Sequence, residues 1–591
     1  MRPFWRALSK PVYIPLADKA EDMYRAFSRA SRGLFLFLAA VLVVSAVGLV
    51  YLLNNSLLTA VPGYGGSLSE GIVGAPRFIN PVLATSDADH DLTILVYSGL
   101  LRATPQGEYV PDLAQSYTVS SDGTVYTFIL KPNVTFHDGT KVTADDVVYT
   151  ISKIQDGAIK SPLMANWNGV VVEAIDPSTV RFTLKSAYAP FIENLTLGIL
   201  PQHLWASISD EEFPFSDLNT SPIGSGPFKI GSVSRTASGI PSSYALKSFA
   251  KYTLGQPFLS TFTLRFYQSE DTLAAALKNG DVEAASGLSP ATLAGITGKN
   301  IDRSALNRVF GVFFNQNQSA VLRDHDVREA LANSVDQNKL VQQVLGGYGT
   351  PLTGPVPPEI LASIGGVATS SAPSLSASST NLALAAQQKL IAKGWVLGSD
   401  GVLTKTTGKG KGATTVRLEF SLSTGNVPEL RAAAEYLKEQ WAAVGASVDV
   451  KIFDQGDLSQ NVIRPRKYDA LLFGEVVGRE LDLFAFWDSS QRNDPGLNVA
   501  MYANPTADKA LEDLRTTTDP TKRASLYSTF LAQINQDIPA VFLYAPDFVY
   551  SIPKDIQGVD LGFISTPSDR FLSAPYWHRQ IDYVWPLFIK Q

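Results

Sequence analysis

The sequence predicts an α/β protein of more than one lobe that follows a single transmembrane helix near the N terminus. Three observations predict this class. A chain of 591 residues exceeds what one hydrophobic core usually organises. One uncharged apolar run is long enough to cross a bilayer. Beyond that run, strand-like and helix-like segments alternate along the chain, which is typical of α/β folds.

The apolar run extends from Leu34 to Leu53, and residues 33–69 contain no charged side chain. A helix of this length extends about 30 Å, which matches the hydrocarbon core of a membrane. Basic residues exceed acidic residues before the run, so the positive-inside rule places residues 1–33 in the cytoplasm and the body outside. We therefore expect an uncleaved signal anchor. A cleaved signal peptide is the alternative, but it would have a shorter apolar region and an A-x-A-like cleavage site.

Two hairpins are predicted early in the exported part. Residues 116–131 alternate between apolar and polar side chains on both sides of Asp122-Gly123, and residues 170–185 repeat this pattern around Asp176-Pro177-Ser178. Together they predict a small lobe built on antiparallel sheet.

Later segments predict an α/β lobe. Residues 326–347 are amphipathic with helical spacing, and residues 428–453 pass from a helical pattern through Gly445 into a strand. The Ser/Ala/Thr-rich stretch at residues 365–381 and the lysine-containing stretch at residues 404–415 are predicted surface loops.

The composition excludes several classes of function. A net charge of −6 gives no basic surface for a polyanion, so we expect no nucleic-acid partner. The chain has no cysteine, which excludes disulfides, thiolate metal sites and a catalytic thiol. Its five histidines are scattered, and no phosphate-binding loop, nucleophile elbow or histidine metal motif occurs. We expect no catalytic residue, no metal site and no cofactor, and the protein is not predicted to be an enzyme.

The stretch TFHDGTKVTADDVVYTI, residues 135–151, is the strongest candidate for acid/base or metal chemistry, because it contains His137 and three aspartates. A structural interpretation is favoured. Asp138-Gly139 suits a tight turn, and Thr143 with Asp146 three residues later has the form of a capping box at a helix start. Only His137 lacks a local structural reason.

Residues 109–151 resemble the signature region of a known family, the extracytoplasmic solute-binding proteins of ABC importers, in the family 5 group with dipeptide-, oligopeptide- and nickel-binding members. Further blocks follow in that family's order, among them GSGPFKI at residues 224–230 and the segment at residues 313–358. The resemblance covers residues 67–591.

The resemblance implies a two-lobe, periplasmic-binding-protein-like α/β fold with an extra small β-rich domain. The lobes close on a ligand between them, and peptide-binding members hold the ligand backbone as an added strand. The expected organisation is a cytoplasmic segment (1–33), an anchor (34–53), a tether (54–66), lobe I (67–95, 190–310 and 545–591), the extra domain (96–189) and lobe II (311–544).

The resemblance also indicates ligand-binding residues. Family members commonly have Trp and then an acidic residue after the Phe-Gly of the pocket strand, whereas this chain has Glu475 there. Glu480 is therefore the expected partner of a peptide ammonium group, with Asp482 second, and Arg479 is expected to meet a ligand carboxylate. A solvated ion pair is the alternative for these charges.

The first lobe is expected to contribute Gly74, Ala75 and Tyr97 to the ligand cleft, although Tyr97 could equally be a core residue. The favoured function is a monomeric, membrane-anchored receptor that binds peptides and delivers them to an ABC permease with its ATPase subunits. A peptide or glycan sensor uncoupled from transport, and a surface hydrolase, are the alternatives.

Overall fold

A computed structural model describes residues 15–364, 379–408 and 413–588 of the chain. The first 14 residues of the predicted cytoplasmic segment, most of the predicted loop at residues 365–381 and the middle of the predicted loop at residues 404–415 lie outside the described residues.

The secondary structure alternates between strands and helices, as expected. The strands are β1 (Thr59–Gly63), β2 (Ser67–Val73), β3 (Leu101–Ala103), β4 (Tyr109–Pro111), β5 (Ala114–Val119), β6 (Val125–Leu130), β7 (Val171–Asp176), β8 (Thr179–Thr183), β9 (Phe228–Arg235), β10 (Pro241–Ser248), β11 (Thr261–Tyr267), β12 (Ala284–Ser286), β13 (Lys299–Ala305), β14 (Arg308–Phe314), β15 (Gly349–Pro351), β16 (Val396–Leu397), β17 (Leu403–Thr407), β18 (Thr414–Arg417), β19 (Glu419–Gly425), β20 (Ser447–Phe453), β21 (Ala470–Val476), β22 (Ala540–Pro553) and β23 (Gln580–Val584).

The α-helices are α1 (Pro15–Ala26), α2 (Arg29–Leu57), α3 (Asp87–Val96), α4 (Ala144–Gln155), α5 (Met164–Trp167), α6 (Phe191–Asn194), α7 (Gln202–Trp205), α8 (Glu270–Asn279), α9 (Pro290–Leu293), α10 (His325–Asn333), α11 (Gln337–Leu345), α12 (Pro358–Ile364), α13 (Ser379–Ala392), α14 (Pro428–Val444), α15 (Gln455–Asp457), α16 (Phe484–Trp487), α17 (Pro505–Thr516) and α18 (Pro520–Asp537).

The chain divides into two compact units. The first unit runs through Gly63 and resumes at Gln580, and the second is Tyr64–Arg579. In the first unit, α2 contains the predicted apolar run and has no buried residue, and among the described residues it is the one helix long and apolar enough to cross a membrane. The segment predicted to be a tether, residues 54–66, contains the last turn of α2 and all of β1.

The second unit has two lobes joined within one twelve-stranded mixed sheet. Strands β2 and β9–β13 belong to the first lobe, whereas β14 and β19–β21 belong to the second. The long strand β22 crosses between them, because its first part pairs with β14 and its last part pairs with β12 and β13. The turn at Leu306 and Asn307, between β13 and β14, is a second crossing.

A separate four-stranded antiparallel sheet, in the order β5-β6-β8-β7, forms the small extra domain. The two predicted hairpins are its β5–β6 and β7–β8 pairs. Its buried face packs Phe128, Phe182, Trp167 and Phe191 against one another. The alternation of apolar side chains along each strand is what provides this one-sided core.

In the second lobe, local sequence signals set the helix ends. Helix α14 begins with Pro428, whose fixed φ suits a first helical position, and it ends at Gly445 with φ of 102°. The predicted helical region at residues 326–347 consists of two helices, α10 and α11, because Asp336 accepts a hydrogen bond from the N–H of Lys339 and starts a new helix.

The candidate acidic stretch at residues 135–151 is structural. The Asp146 carboxylate accepts a hydrogen bond of 2.8 Å from the N–H of Thr143 at the start of α4, and another of 2.8 Å from the N–H of Gln202. His137, which had no local explanation in the sequence, has a long-range one. Its Nε2 lies 3.0 Å from the carbonyl of Gly226, and its Nδ1 accepts from the N–H of Gly224.

A buried ionic network holds the core of the first lobe. The Arg570 guanidinium, which is fully buried, forms a bidentate pair of 2.7 and 2.6 Å with Asp91 and also reaches Glu70 at 2.9 Å. The Tyr550 hydroxyl donates to the second oxygen of Glu70 at 2.6 Å. Burial raises the pKa of Glu70, and the charge of Arg570 opposes that rise.

Candidate functional site

Strand β21 has an incomplete pairing edge where the two lobes meet. On one side it pairs with β14 along its whole length, from Ala470 to Val476. On the other side it pairs with β19 only at Ala470 and Leu471. The part of β21 after Leu471 therefore has an edge that β19 does not cover.

The hydrogen bonds around β21 tell which backbone groups face that edge. The N–H of Val477 donates to the carbonyl of Asn307, so the backbone N–H and C=O groups of odd-numbered residues point toward β14. The carbonyl of Leu472 accepts from the Thr424 hydroxyl on the β19 side, so the backbone groups of even-numbered residues point away from β14. Because backbone groups alternate along a strand, Gly474 and Val476 present their N–H and C=O groups to the uncovered edge.

The first of three cavities, the hinge cavity, has a volume of about 660 Å³ and lies between the lobes. The first lobe contributes Ser289 and Pro290, and the second contributes Gly474 and Val476. Arg308 also lines it, next to the crossing turn, and its buried Nε has no hydrogen-bond partner in the described parts of the chain. This size is within the usual range for small-molecule sites.

The second, the Glu475 cavity, has a volume of about 560 Å³ and shares Phe473, Gly474 and Val476 with the hinge cavity. The Glu475 side chain is buried, and neither carboxyl oxygen has a hydrogen-bond partner among the described residues. Burial raises the pKa of Glu475 well above its usual range, opposed by the nearby indole of Trp487. Burial without a hydrogen-bond partner favours the neutral form of a carboxyl group.

The third, the Arg479 cavity, has a volume of about 310 Å³ and is lined mainly by the first lobe and the extra domain. Tyr97 lines it, and its buried hydroxyl has no partner in the described chain. Arg479 reaches it from the second lobe and forms an ion pair of 2.6 Å with Asp569 of the first. Burial raises the pKa of Glu193 on the same wall, and Glu480 raises it further.

The other predicted acidic residues are engaged with neighbouring side chains. The Asp482 carboxylate accepts a hydrogen bond of 3.0 Å from the Tyr188 hydroxyl and lies 3.2 Å from Nε of Arg515. The Glu480 carboxylate lies 3.9 Å from the Arg523 guanidinium, and burial raises the pKa of Glu480. Both line a narrow pocket with room for about one water molecule, about 10 Å³.

Gly74 and Ala75 lie at the C-terminal edge of the parallel strands of the first-lobe sheet. They follow β2, and the N–H of Gly74 donates to the carbonyl of Tyr267 at the end of the parallel strand β11. The loop after β12 at the same edge lines the hinge cavity at Ser289. Both Gly74 and Ala75 are exposed, and neither lines one of the three cavities.

The structure thus divides the predicted site residues among separate places. Glu475 lines the Glu475 cavity, and Tyr97 and Arg479 line the Arg479 cavity. Glu480 and Asp482 line the narrow pocket next to α17 and α18. Sequence reasoning did not identify the uncovered edge at Gly474 and Val476, nor Arg308. Gly474 itself has a different explanation, because a β-carbon there would meet, at 2.6 Å, the ring of Phe310 on the paired strand β14.

One group of residues in the described chain could in principle hold a metal ion, namely His325, Asp326 and Glu329. Lysine side chains already neutralise it, since Lys393 lies 3.1 Å from Asp326 and Lys389 lies 3.7 Å from Glu329. We assign no metal to it.

Two lobes joined by two crossing segments, with cavities at the junction, define the class of two-lobe ligand-binding proteins. Comparisons with known proteins then identify the family. The sequence model of the bacterial extracellular solute-binding proteins, family 5 (middle region), matches residues 108–495, more than half of the chain, and the chain belongs to this family. It is therefore a solute receptor and not an enzyme, and its place is extracytoplasmic.

Individual relatives agree with this assignment. The chain is 28% identical over 516 residues to the oligopeptide-binding protein AppA of Bacillus subtilis (strain 168), with 84% of this chain and 89% of AppA covered. The solved structure of AppA in complex with a nonapeptide matches with a TM-score of 0.64 at 25% identity, covering 88% of this chain and 99% of AppA. The substrate-binding protein CtaP of Listeria monocytogenes matches with a TM-score of 0.71 at 26% identity, covering 87% and 99% of the two chains.

Proposed function

We propose that this protein is a membrane-anchored receptor that binds oligopeptides between its two lobes and delivers them to an ABC importer. The observation that carries the proposal is the uncovered edge of β21 at the hinge cavity. AppA, an oligopeptide-binding protein, is similar over most of this chain, which supports the same ligand class.

An extended peptide could complete the sheet at this edge. Gly474 and Val476 offer two donors and two acceptors, and a peptide strand offers the matching groups at the same spacing. Main-chain hydrogen bonds of this kind give affinity without selecting side chains. The hinge cavity and the Glu475 cavity lie on the two sides of the edge and would receive alternate side chains of the peptide.

Charged groups at the junction suit the ends of a peptide. Arg308 lines the hinge cavity, and we propose that it meets a ligand carboxylate there. Glu475 could take a cationic or hydrogen-bonding group from the other side. Glu480, Asp482 and Arg479 stay predictions as ligand groups, and a ligand would have to displace Arg523, Arg515 or Asp569 to reach them.

The proposal for delivery rests on the anchor and the family. Helix α2 would hold the body at the outer face of the membrane as an uncleaved anchor, with residues 1–33 in the cytoplasm. We expect the receptor to act as a monomer with a permease and its ATPase subunits. Within the receptor, we propose that lobe I consists of residues 67–95, 190–310 and 545–591, that the extra domain consists of residues 96–189, and that lobe II consists of residues 311–544.

A thermal-shift screen of the full chain in detergent tests the ligand class. Peptides of two to nine residues would be compared with free amino acids and with oligosaccharides of similar mass. A ligand present at about 100 times its dissociation constant stabilises the fold by about 2.7 kcal/mol. We expect stabilisation by peptides alone. Stabilisation by oligosaccharides instead, or by no peptide in the set, would contradict the proposal, and co-purification with a permease tests delivery separately.

A further inference from the structure

The residues that follow β23 return to the end of the helix that would cross the membrane. Within the first unit, β1 leads away from α2, and β23 pairs with it antiparallel. The register sets Gly63 opposite Gln580 and Thr59 opposite Val584. Thr59 stands directly after Leu58, the residue that caps α2. Residues 585–588 therefore continue toward the helix end.

Distances along the chain place this segment at the depth of the lipid headgroups. From Leu53, the last residue of the apolar run, four helical residues and two extended ones raise Thr59 by about 12 Å. Beyond Val584, one extended residue and the 3₁₀ turn Pro586–Phe588 return by about 9 Å. The segment thus ends a few ångströms above Leu53, inside the polar zone of about 5–8 Å that covers each side of the hydrocarbon core.

The side chains of this segment are the kind that membrane interfaces attract. Alternation along β23 puts Ile581 and Tyr583 on one face of the ribbon, and Trp585 continues that face. These side chains are exposed to different degrees, at 40% for Ile581, 66% for Tyr583 and 42% for Trp585, and Leu587 is 88% exposed. Asp582 lies on the other face, against Gly63 of β1.

Tyr and Trp gather at membrane interfaces because the ring is apolar and one end forms hydrogen bonds. An exposed apolar stripe also needs a partner, since such a patch in water is unfavourable. Lipid is the occupant that the geometry favours, because the stripe lies beside the end of a helix whose described residues are all unburied.

We propose that residues 585–588 form a second membrane contact, in which Trp585 and Leu587 insert between lipid headgroups beside the outer end of α2. Tyr583 and Ile581 lie further from α2 than Val584 and continue the apolar stripe above the headgroups. This inference rests on the proposed anchoring of the chain by α2. The contact would hold both strands of the β1–β23 ribbon at the membrane surface, at the end where Thr59 pairs with Val584, and would restrict the swing of the ribbon on its helix.

Site-specific fluorescence in vesicles tests the contact, and the chain has no cysteine to interfere with labelling. Single-cysteine variants Leu587→Cys and Trp585→Cys would carry an environment-sensitive dye, such as nitrobenzoxadiazole, in the full chain. Asp582→Cys, on the opposite face, is the matched control, and Leu42→Cys at the centre of the helix reports insertion of the anchor. Vesicles would contain phosphatidylcholine and phosphatidylglycerol, with or without brominated acyl chains.

We expect blue-shifted emission and loss of intensity in brominated vesicles at Leu42 and, more weakly, at Leu587 and Trp585, with little change at Asp582. Quenching at Leu42 with responses at Leu587 and Trp585 no larger than at Asp582 would overturn the second contact and leave the anchor intact. No quenching at Leu42 would overturn the anchor and the contact together. A blue shift at Leu587 only after a permease is added would assign the stripe to a protein partner and overturn the lipid contact.

Discussion

Arg479 of the second lobe and Asp569 of the first form an ion pair of 2.6 Å in which both side chains are nearly buried, at 6% and 13% exposure. Asp569 also accepts hydrogen bonds from the N–H groups of Ser565 and Thr566, so its position is fixed. The pair therefore joins the lobes at the wall of the Arg479 cavity, next to the segment that follows β21.

Arg479→Gln should weaken the junction between the lobes. The substitution removes a charge-assisted contact worth about 1–3 kcal/mol, while Asp569 keeps its two N–H donors. We expect the free energy of unfolding in urea to fall by that amount. Arg417→Gln removes ion pairs with Asp400 and Glu419 in which all three side chains are about half exposed, and as the matched control it should change stability by less than Arg479→Gln does. Equal effects of the two substitutions would contradict the buried role of Arg479.

Arg570→Met should be among the most destabilising single changes in the first lobe. It leaves Glu70 and Asp91 buried without their cation, which typically costs about 3–5 kcal/mol. Adding Glu70→Gln and Asp91→Asn to the same chain should restore part of the loss, because the unpaired charges are then gone. Denaturant unfolding of the single and triple variants checks this. A triple variant less stable than Arg570→Met would show that the charges are not the cause.

His137 should make the fold less stable in acid. Burial lowers the pKa of His137 to about 4, whereas an unfolded histidine titrates near 6.5. Between these values the unfolded chain binds the proton more readily, so stability decreases as the pH falls from about 6.5 to about 4. The free energy of unfolding lost over this pH range is about 3 kcal/mol.

Unfolding curves at several pH values, for the wild type and for His137→Gln, measure this contribution. The variant should lack this part of the pH dependence. His90→Gln, at an exposed histidine, should keep it. Parallel pH profiles for the wild type and His137→Gln would refute the assignment.

Glu475→Gln should stabilise the protein at neutral and alkaline pH. Burial raises the pKa of Glu475, so the unfolded chain loses this proton at lower pH than the folded chain does. Stability contributed by the neutral carboxyl is present below about pH 4.5 and decreases as the pH rises toward the folded pKa, by up to about 1.4 kcal/mol per pH unit. Glutamine cannot ionise and escapes this loss. The gap in unfolding free energy between the variant and the wild type should therefore be small at pH 4 and grow as the pH rises, and a gap that does not grow would contradict the raised pKa of Glu475.

Features set by neighbouring residues could be predicted from the sequence. The two hairpins, the cap at Asp146 and the helix end at Gly445 each depend on a few adjacent side chains, and the family resemblance added the two-lobe fold. The apolar run of α2 was equally clear. Such signals are local, so one sequence contains them completely.

Features that join distant parts of the chain could not be predicted. The partners of Arg570 lie about 480 and 500 residues earlier in the chain, and the hydrogen bonds of His137 reach the turn at Gly224–Gly226. The partial pairing of β21 depends on where β19 ends, which no periodicity records. For the same reason the charges at Glu480 and Asp482 looked available to a ligand, although Arg523 and Arg515 face them in the fold.

Calorimetric titration of a stabilising peptide into Val476→Pro and Val476→Ala tests the account most directly. Proline removes the N–H that faces the uncovered edge and none that faces β14, whereas alanine removes the same side chain and keeps the N–H. If the peptide adds a strand to β21, Val476→Pro should bind the peptide about tenfold more weakly than Val476→Ala. The difference would come from the lost N–H hydrogen bond and from displacement of the hydrogen bond next to it. Equal affinity of the two variants would contradict the claim that the peptide lies along this edge.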